Sequence, residues 1–288
     1  MCRMAAYAGP AAPLSILLSD PPWALDEQAW RARTPRPPGR GSPDPSGPTG
    51  APPRGFRDPS GPTGGNVVNV DGTGVVWWPA GETRRPPLRY VTELPPWADP
   101  NLLGLARRLE GAMQLALVRS ATPGLPYGAW SVAPFVHGRV AVAHNGRVGG
   151  FRGVCGRRLL ERVPDDLYAG LGTLTDSAVL AALVAAELRA RSPRELAGAL
   201  AGTVAMVEKA CADAGEAATL TLLAADGERV AGVRAALGRA SHPLYTRAGG
   251  GVALAASEAL DDDLGWVEVP DRHLVELDAD GTSTRPLD

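Results

Sequence analysis

The sequence predicts an α+β fold built on antiparallel sheets. Short apolar runs separated by turn residues fill the first half of the chain, helical segments rich in Ala, Leu and Val follow, and strand-like runs return toward the C-terminus. This order is typical of an α+β protein and differs from the regular β-α-β alternation that builds parallel sheets. The chain has 288 residues, of which 44% are hydrophobic, so it can bury a sizeable core in one large domain or two small ones.

The first predicted element begins at the N-terminus. Residues 2–8 are largely apolar and end at a Gly-Pro pair, which predicts a short buried strand, and residues 14–18 predict a helical turn. If Met1 is removed, Cys2 carries both a thiol and a free α-amine. Their ordinary pKa values are about 8.5 and about 8, so the amine can serve as base and then acid for its own side chain. Cys2 is therefore a candidate nucleophile, although on this residue alone a chance cysteine at the start site is the simpler interpretation.

Residues 34–65 have a composition that cannot form a core. Of these 32 residues, 18 are proline or glycine, and the segment repeats with a period of 14, because residues 37–50 and 51–64 both end in DPSGPTG. The pattern predicts a duplicated, disordered surface insertion. Docking of a partner to the proline-rich stretch and contact of its arginines with RNA are alternatives to a solvated loop, which is the simplest interpretation.

The remaining elements follow from apolar patterning and turn residues. Apolar runs at residues 67–70 and 75–78, separated by Asp71-Gly72, predict a hairpin. Further strands are predicted at residues 88–94, 115–118, 132–135, 140–143, 218–224, 229–234, 252–256 and 273–277. Helices are predicted at residues 101–109, 159–171, 176–190 and 193–212.

Three polar residues and one glycine outside the N-terminus are candidates for a site. Arg119 ends an apolar strand, where its guanidinium either reaches water or grips a substrate carboxylate through two hydrogen bonds. Asn145 and Gly146 form a hairpin turn on the simplest interpretation; the alternative is an oxyanion hole made by the Asn145 amide and the Gly146 N–H. Asp176 precedes an apolar helix and is either an N-cap or first-turn acid or a partner for a substrate ammonium.

Charge and cysteine usage exclude several classes of function. The chain has 29 Lys and Arg against 31 Asp and Glu, a net charge of −2, so we expect no nucleic-acid partner. The three cysteines are far apart, outside any C-x-x-C pair, so neither a disulfide framework nor a zinc site is expected, and Cys155 and Cys211 are predicted to be buried, unreactive thiols. The four histidines are scattered and no phosphate-loop sequence occurs, so we expect no metal and no cofactor.

Targeting and membrane signals point to one compartment. No stretch approaches the ~18 apolar residues of a membrane helix, and no signal-peptide pattern precedes the first strand. A cytoplasmic protein without a membrane partner is expected.

Six motifs taken in order resemble those of the class II glutamine amidotransferases, which are N-terminal-nucleophile hydrolases. Within that family the chain is most similar to the amidohydrolases of ergothioneine biosynthesis, through residues 260–266 and 270–276. The likeness covers nearly the whole chain outside residues 34–65. The six motifs are Met1-Cys2-Arg3, Asn69-Val70-Asp71-Gly72-Thr73-Gly74, Arg119-Ser120-Ala121-Thr122, His144-Asn145-Gly146, Thr175-Asp176-Ser177 and Ala256-Ser257-Glu258.

The resemblance implies a four-layer αββα sandwich of two antiparallel sheets, in a single amidotransferase domain at residues 2–288 that the insertion at 34–65 interrupts. It implies that Cys2 is the nucleophile, with its own α-amine as acid and base, and that Asn145 and Gly146 are the oxyanion donors. Arg119 would bind the α-carboxylate of a γ-glutamyl group, and Asp176 its α-ammonium.

The subgroup resemblance implies removal of the γ-glutamyl group from γ-glutamyl-hercynylcysteine sulfoxide. One glutaminase-sized domain remains outside the insertion, with no second domain to receive ammonia, which favours plain hydrolysis. Two alternatives stay open: a glutaminase subunit that supplies ammonia to a separate synthase partner, and an inactive binding module of the same fold. Met4 and Thr73 stand where the subgroup usually has a histidine and an aromatic residue, and we expect these changes to affect recognition of the leaving group; Trp30, Trp77 or Trp78 would then have to replace the lost aromatic surface.

Overall fold

A computed structural model describes residues 2–31, 68–121, 126–191, 195–278 and 281–287. Met1 and the predicted insertion at residues 34–65 lie outside these ranges. Within them the strands are β1 (Arg3–Pro13), β2 (Thr73–Trp78), β3 (Leu88–Thr92), β4 (Glu110–Val118), β5 (Phe135–His137), β6 (Val140–Val148), β7 (Ala218–Ala225), β8 (Val230–Leu237), β9 (Tyr245–Gly249), β10 (Val252–Ala256), β11 (Val267–Glu268), β12 (His273–Asp278) and β13 (Gly281–Pro286).

The described strands form two antiparallel sheets with helices outside both. One sheet has seven strands in the order β11-β9-β10-β1-β4-β2-β3, and the other has six in the order β13-β12-β8-β7-β6-β5. The helices are α1 (Ser15–Leu18), α2 (Leu25–Trp30), α3 (Leu102–Ala106), α4 (Val154–Leu160), α5 (Asp165–Ala169), α6 (Asp176–Arg189) and α7 (Leu196–Ala212). The predicted α+β class with antiparallel sheets is confirmed.

The side-chain alternation of β1 explains the layering. Met4, Ala6 and Ala8 belong to an apolar cluster shared with the six-stranded sheet, whereas Ala5 and Tyr7 pack with residues of α1, α2 and α3. Because successive side chains of a strand point to opposite faces, this one strand contributes to two cores. A third cluster lies between the six-stranded sheet and α4–α7. The result is the four-layer αββα sandwich that the resemblance implies.

The start of β1 is held by residues from the far end of the chain. β1 lies between β10 and β4 in the middle of its sheet. The Met4 N–H donates to Ser257 Oγ over 3.1 Å, and Arg3 forms an ion pair of 2.6 Å with Glu258 in which both side chains are largely buried. Cys2 therefore begins a central strand, in agreement with the predicted strand at residues 2–8.

Two predicted turns are wrong for identifiable reasons. Residues 68–70 form no strand, and β2 pairs with β3 and β4 instead of forming a hairpin with them; Asp71 is fixed beside the end of β4, since its N–H donates to Arg119 O over 3.1 Å. Asn145 and Gly146 lie inside β6, opposite Thr221 and Leu220 of β7. The pairing with β7 continues through Val148. The strand therefore extends beyond the apolar run that ends at residue 143, and its later residues include polar side chains.

Other predicted elements differ in length. The helix predicted at residues 159–171 is split into α4 and α5 at Pro164, whose backbone is extended. The strand predicted at residues 132–135 starts only at Phe135. Sequence patterning missed β9, β11 and β13, because they are partly exposed and two of them carry many polar residues.

Candidate active site

The Cys2 thiol lies at the junction of β1 with the end of β4. Its Sγ accepts a hydrogen bond of 3.4 Å from the Ser120 N–H and lies 3.6 Å from the Ser120 carbonyl oxygen. Ser120 lies two residues after the last residue of β4, and Arg3 in β1 pairs with Val118 in β4. The nucleophile candidate is thus positioned by the pairing of the two central strands.

Opposing influences act on the Cys2 thiol. Burial raises its pKa and is the largest effect. The hydrogen bond from the Ser120 backbone and the positive charge of Arg119 act in the lowering direction, and Asp176 raises the pKa. Since the net pKa is raised, the thiol needs a nearby base to form the thiolate at neutral pH.

Arg119 and Asp176 share a small cavity of about 40 Å³ with Cys2. Arg119 is buried, its Nη2 donates to Pro126 O over 2.9 Å, and its guanidinium lies 5.6 Å from the Tyr127 ring centroid. Its Nη1 is buried and has no hydrogen-bond partner among the residues that the structure describes. One edge of the guanidinium therefore remains available for a ligand.

Asp176 is the first residue of α6. The N-cap of this helix is Thr175, whose Oγ1 accepts from the Ala178 N–H over 3.2 Å, so Asp176 is a first-turn acid and not the cap. Its Oδ2 accepts the Val148 N–H over 3.0 Å and its Oδ1 accepts the Ser177 N–H over 2.8 Å. These backbone donors fix a buried carboxylate at the helix N-terminus, where negative charge is stabilised.

Asn145 and Gly146 present two potential donors to the space beside Cys2. Asn145 lies on the face of β6 that, at Ala143, packs against the other sheet, and it lines a cavity with Cys2. The Val148 N–H points toward Asp176, and because N–H groups two residues apart in a strand point to the same edge, the Gly146 N–H points that way too.

No side chain fits at position 146. A Cβ there would overlap the Thr219 carbonyl oxygen and lie 2.5 Å from His144 Nε2. Glycine therefore allows the close approach of β6 and β7 beside the cavity.

A second cavity of about 650 Å³ also opens at Cys2. The two cavities share Cys2, Ser120, Ala121 and Gly146, but the second contains neither Arg119 nor Asp176. The larger cavity is further lined by Asn145, Arg147, Thr219, Arg239, Ala240, Ser241 and His242. The five predicted site residues thus line two adjoining cavities, and their roles stay predictions.

Sequence reasoning assigned no role to His144. Its Nε2 lies 3.0 Å from Thr219 O and its Nδ1 lies 3.0 Å from Ser177 Oγ. Because a carbonyl only accepts, Nε2 carries a proton and donates to Thr219 O. The Ser177 hydroxyl that faces Nδ1 also lies 3.4 Å from Asp176 Oδ1. This bridge connects β6 and β7 with the start of α6. Both residues of this bridge occur in motifs noted in the sequence, His144-Asn145-Gly146 and Thr175-Asp176-Ser177, and these motifs could have indicated it.

The residues at positions 4 and 73 lie away from both cavities. Met4 and Thr73 are fully buried, and the Thr73 hydroxyl donates to Leu94 O over 2.9 Å. Trp77 and Trp78 belong to the apolar clusters on either face of the seven-stranded sheet. Neither Met4 nor Thr73 lines a cavity beside Cys2, and neither do Trp77 and Trp78. The expectation that the residues at positions 4 and 73 affect recognition of the leaving group stays a prediction.

In the ranges that the structure describes, no group of three or more histidine, cysteine, aspartate or glutamate side chains is placed to hold a metal ion. None of the helices described combines the length and apolar character needed to cross a membrane.

Comparison with known proteins gives full-length relatives. The chain is 31% identical over 288 residues to a γ-glutamyl-hercynylcysteine sulfoxide hydrolase from Mycobacterium tuberculosis. The alignment covers 100% of this chain and 97% of the relative. A protein of the same name from Mycolicibacterium smegmatis is 30% identical over 277 residues, 96% of each chain. A solved glutamine aminotransferase class-II domain protein from Silicibacter pomeroyi matches with a TM-score of 0.65 and 22% identity over 100% of both chains. No protein-family model matches.

Proposed function

Because the chain belongs to the γ-glutamyl-hercynylcysteine sulfoxide hydrolase family within the class II glutamine amidotransferases, we propose that it converts γ-glutamyl-hercynylcysteine sulfoxide to hercynylcysteine sulfoxide and glutamate. This reaction would be a step of ergothioneine biosynthesis. At the coarser level the chain is an N-terminal-cysteine amidohydrolase that acts on a γ-glutamyl amide.

The observation that carries this proposal is the pair of cavities that meet at Cys2. The small one contains a buried arginine and a buried aspartate, a match for the carboxylate and ammonium of a γ-glutamyl group. The second one, about 650 Å³, has room for a leaving group far larger than ammonia. A substrate whose scissile bond lies at Cys2 would place one part in each.

Acylation would begin with the thiol of processed Cys2. Its own α-amine takes the thiol proton, and the thiolate sulfur bonds to the γ-carbonyl carbon. The carbonyl oxygen becomes an oxyanion that accepts hydrogen bonds from the Asn145 side-chain amide and the Gly146 N–H, a donor pair of which each member contributes roughly 10²–10³ in rate. When the C–N bond breaks, the Cys2 ammonium returns the proton to the leaving nitrogen.

Hydrolysis of the thioester would reuse the same groups. The Cys2 amine removes a proton from water, the hydroxide oxygen bonds to the thioester carbon, and the oxyanion again lies against Asn145 and Gly146. Collapse of this intermediate breaks the C–S bond and releases glutamate, and the proton returns to the sulfur. The pKa of the Cys2 thiol, raised chiefly by burial, favours its departure as a neutral thiol after proton transfer.

A glutaminase subunit that supplies ammonia to a synthase partner remains the second candidate. Its substrate, glutamine, would place its glutamyl part in the same small cavity, but its leaving group would be ammonia instead of an amino acid derivative. The volume of the second cavity favours the larger substrate, because ammonia needs no such space. If the chain were an inactive binding module, the opposite charges of Arg119 and Asp176 in one cavity would have to contribute only to stability of the fold.

Glutamate release tests the proposal directly. Full-length protein whose Met1 removal is verified by intact mass is incubated with γ-glutamyl-hercynylcysteine sulfoxide or with L-glutamine, and glutamate is quantified. We expect turnover of the sulfoxide to exceed that of glutamine by at least about tenfold in kcat/KM, with none above background in Cys2→Ala.

The outcomes separate the candidates. Glutamine turnover that rises with an added synthase, without sulfoxide turnover, would support the glutaminase. Inactivity of mature protein toward both substrates would support the binding module.

A further inference from the structure

The larger cavity beside Cys2 is lined by two arginines, Arg147 and Arg239. Both are solvent-exposed. Within the ranges that the structure describes, neither forms an ion pair. The cavity therefore has two positive charges that the fold itself does not neutralise.

The two arginines reach this cavity from separate parts of the six-stranded sheet. Arg147 lies in β6 two residues after Asn145, so both side chains point to the same face of the strand. Arg239 follows Gly238, whose φ of 68° redirects the chain after β8. Two elements thus bring guanidinium groups to a cavity that contains an oxyanion donor and the nucleophile.

His242 makes the cavity polar without adding charge. Burial is the largest cause that lowers its pKa to about 4, and His144, Arg239 and Arg3 act in the same direction. The imidazole is therefore neutral at pH 7, and the positive charge of this wall comes from the arginines.

We infer that Arg147 and Arg239 form a leaving-group subsite for the α-carboxylate of an amino acid whose nitrogen is joined to the γ-glutamyl group. The inference deepens the proposed function and rests on it for the position of the scissile bond. In such a substrate the carboxylate carbon lies only about 2.5 Å from the scissile nitrogen. It must therefore enter the space next to Cys2 together with that nitrogen.

Arginine suits this task because its planar fork binds a carboxylate through two parallel hydrogen bonds. Two unpaired arginines would favour γ-glutamyl-amino acids over glutamine, whose leaving ammonia carries no carboxylate. The subsite would thereby separate an amidohydrolase from a glutaminase through the leaving group alone.

Two small ligands isolate the carboxylate. γ-Glutamyl-alanine and γ-glutamyl-ethylamide differ only in that group, and their dissociation constants are measured by calorimetry on the full-length Cys2→Ala protein, which cannot turn them over. We expect γ-glutamyl-alanine to bind about tenfold more tightly. In the same protein with Arg147→Gln and Arg239→Gln the preference should fall below about twofold.

Arg107→Gln is the matched control. Arg107 is an exposed arginine at the end of α3, on the outer side of the other sheet, and its replacement should preserve the tenfold preference. A preference below about twofold before substitution, including no detectable binding of γ-glutamyl-alanine, would overturn the inference, as would a preference that survives the double substitution. Sulfoxide turnover by the wild type is measured separately, so the proposed substrate and the carboxylate subsite can fail independently.

Discussion

Replacement of Gly146 by alanine tests the proposed oxyanion donor most directly. The added Cβ would overlap the Thr219 carbonyl oxygen and lie 2.5 Å from His144 Nε2. Ordinary contacts of a Cβ begin near 3.4 Å, so the ring contact alone demands a movement of about 0.9 Å. Thr219 O also accepts the His144 hydrogen bond of 3.0 Å, so ring and carbonyl cannot move apart freely.

The expected loss follows from this displacement. Overpacking of a tight contact costs about 1–3 kcal/mol of folding stability. A donor displaced by about 1 Å loses its alignment with the oxyanion, which costs roughly 10²–10³ in kcat. KM for the γ-glutamyl substrate should change much less, because the proposed contacts to the glutamyl part come from Arg119 and Asp176, which also line the small cavity.

Steady-state glutamate release and thermal unfolding are measured together on Gly146→Ala and on a matched glycine. Gly249→Ala serves as the control, since Gly249 also lies in a strand and a Cβ there meets nothing within 4 Å. The control should retain kcat within about twofold. Asn145→Ala tests the second donor without adding volume and should lower kcat by a similar factor.

A folded Gly146→Ala protein with kcat within about twofold of the wild type would refute the oxyanion assignment. If this variant does not fold, the packing argument is supported and Asn145→Ala decides the catalytic one. Full activity of Asn145→Ala would then refute the donor pair.

Three further predictions concern charge, thiol reactivity and pH. Arg119→Lys keeps the charge but loses the fork, and should raise KM for γ-glutamyl substrates by about tenfold or more, measured by initial rates. Iodoacetamide at pH 7.5 should label Cys2 in native protein and leave Cys155 and Cys211 unmodified, as measured by peptide mass spectrometry. Cys155 and Cys211 are buried with their sulfur atoms 3.2 Å apart, and the pKa of Cys211 is raised to about 12. Because the folded-state pKa of His242, about 4, lies below its ordinary value of 6.5, protonation favours the unfolded chain, so stability is lost as pH falls from about 6.5 to about 4. His242→Gln should lose about 1–2 kcal/mol less stability than the wild type on acidification to pH 4.5, measured by denaturant unfolding, since screening reduces the full effect for a half-buried ring.

Each of these has a clear contrary result. An unchanged KM in Arg119→Lys would argue against a bidentate carboxylate grip. Labelling of Cys155 or Cys211 at the rate of Cys2 would show that the helical layer opens readily. Identical acid sensitivity of His242→Gln and wild type would show that His242 does not contribute to the pH response. Both variants, Arg119→Lys and His242→Gln, should match the wild type in thermal unfolding at pH 7.5 within a few degrees.

Strands and helices were predicted correctly from the sequence where apolar residues form an unbroken run or recur at regular spacing. The apolar residues 2–8 indicate a buried strand, and the observed β1 extends it because its partner strands continue. The helices α6 and α7 follow from their Ala- and Leu-rich patterning. Both depend on local pattern alone, which is what a sequence carries most directly.

Prediction failed where tertiary contacts override local preference. Asn145-Gly146 is a favoured turn sequence, yet pairing with β7 on one side and the cavity on the other keeps it in a strand. The cation-lined wall formed by Arg147 and Arg239 joins a strand to a distant loop, and no spacing in the chain indicates that they meet. The resemblance supplied Arg119 and Asp176 as partners across 57 positions of sequence, which periodicity could not have done.

The pairing of β1 with β10 has a consequence for synthesis. The nucleophile's strand is made first, but its partner and the Ser257 and Glu258 contacts come from residues more than 240 positions later. At a synthesis rate of 5–20 residues per second, roughly 13–50 s pass between synthesis of β1 and synthesis of β10, its later partner strand. An aminopeptidase that removes Met1, as the proposed role of Cys2 requires, has this interval in which to act before β10 pairs with β1.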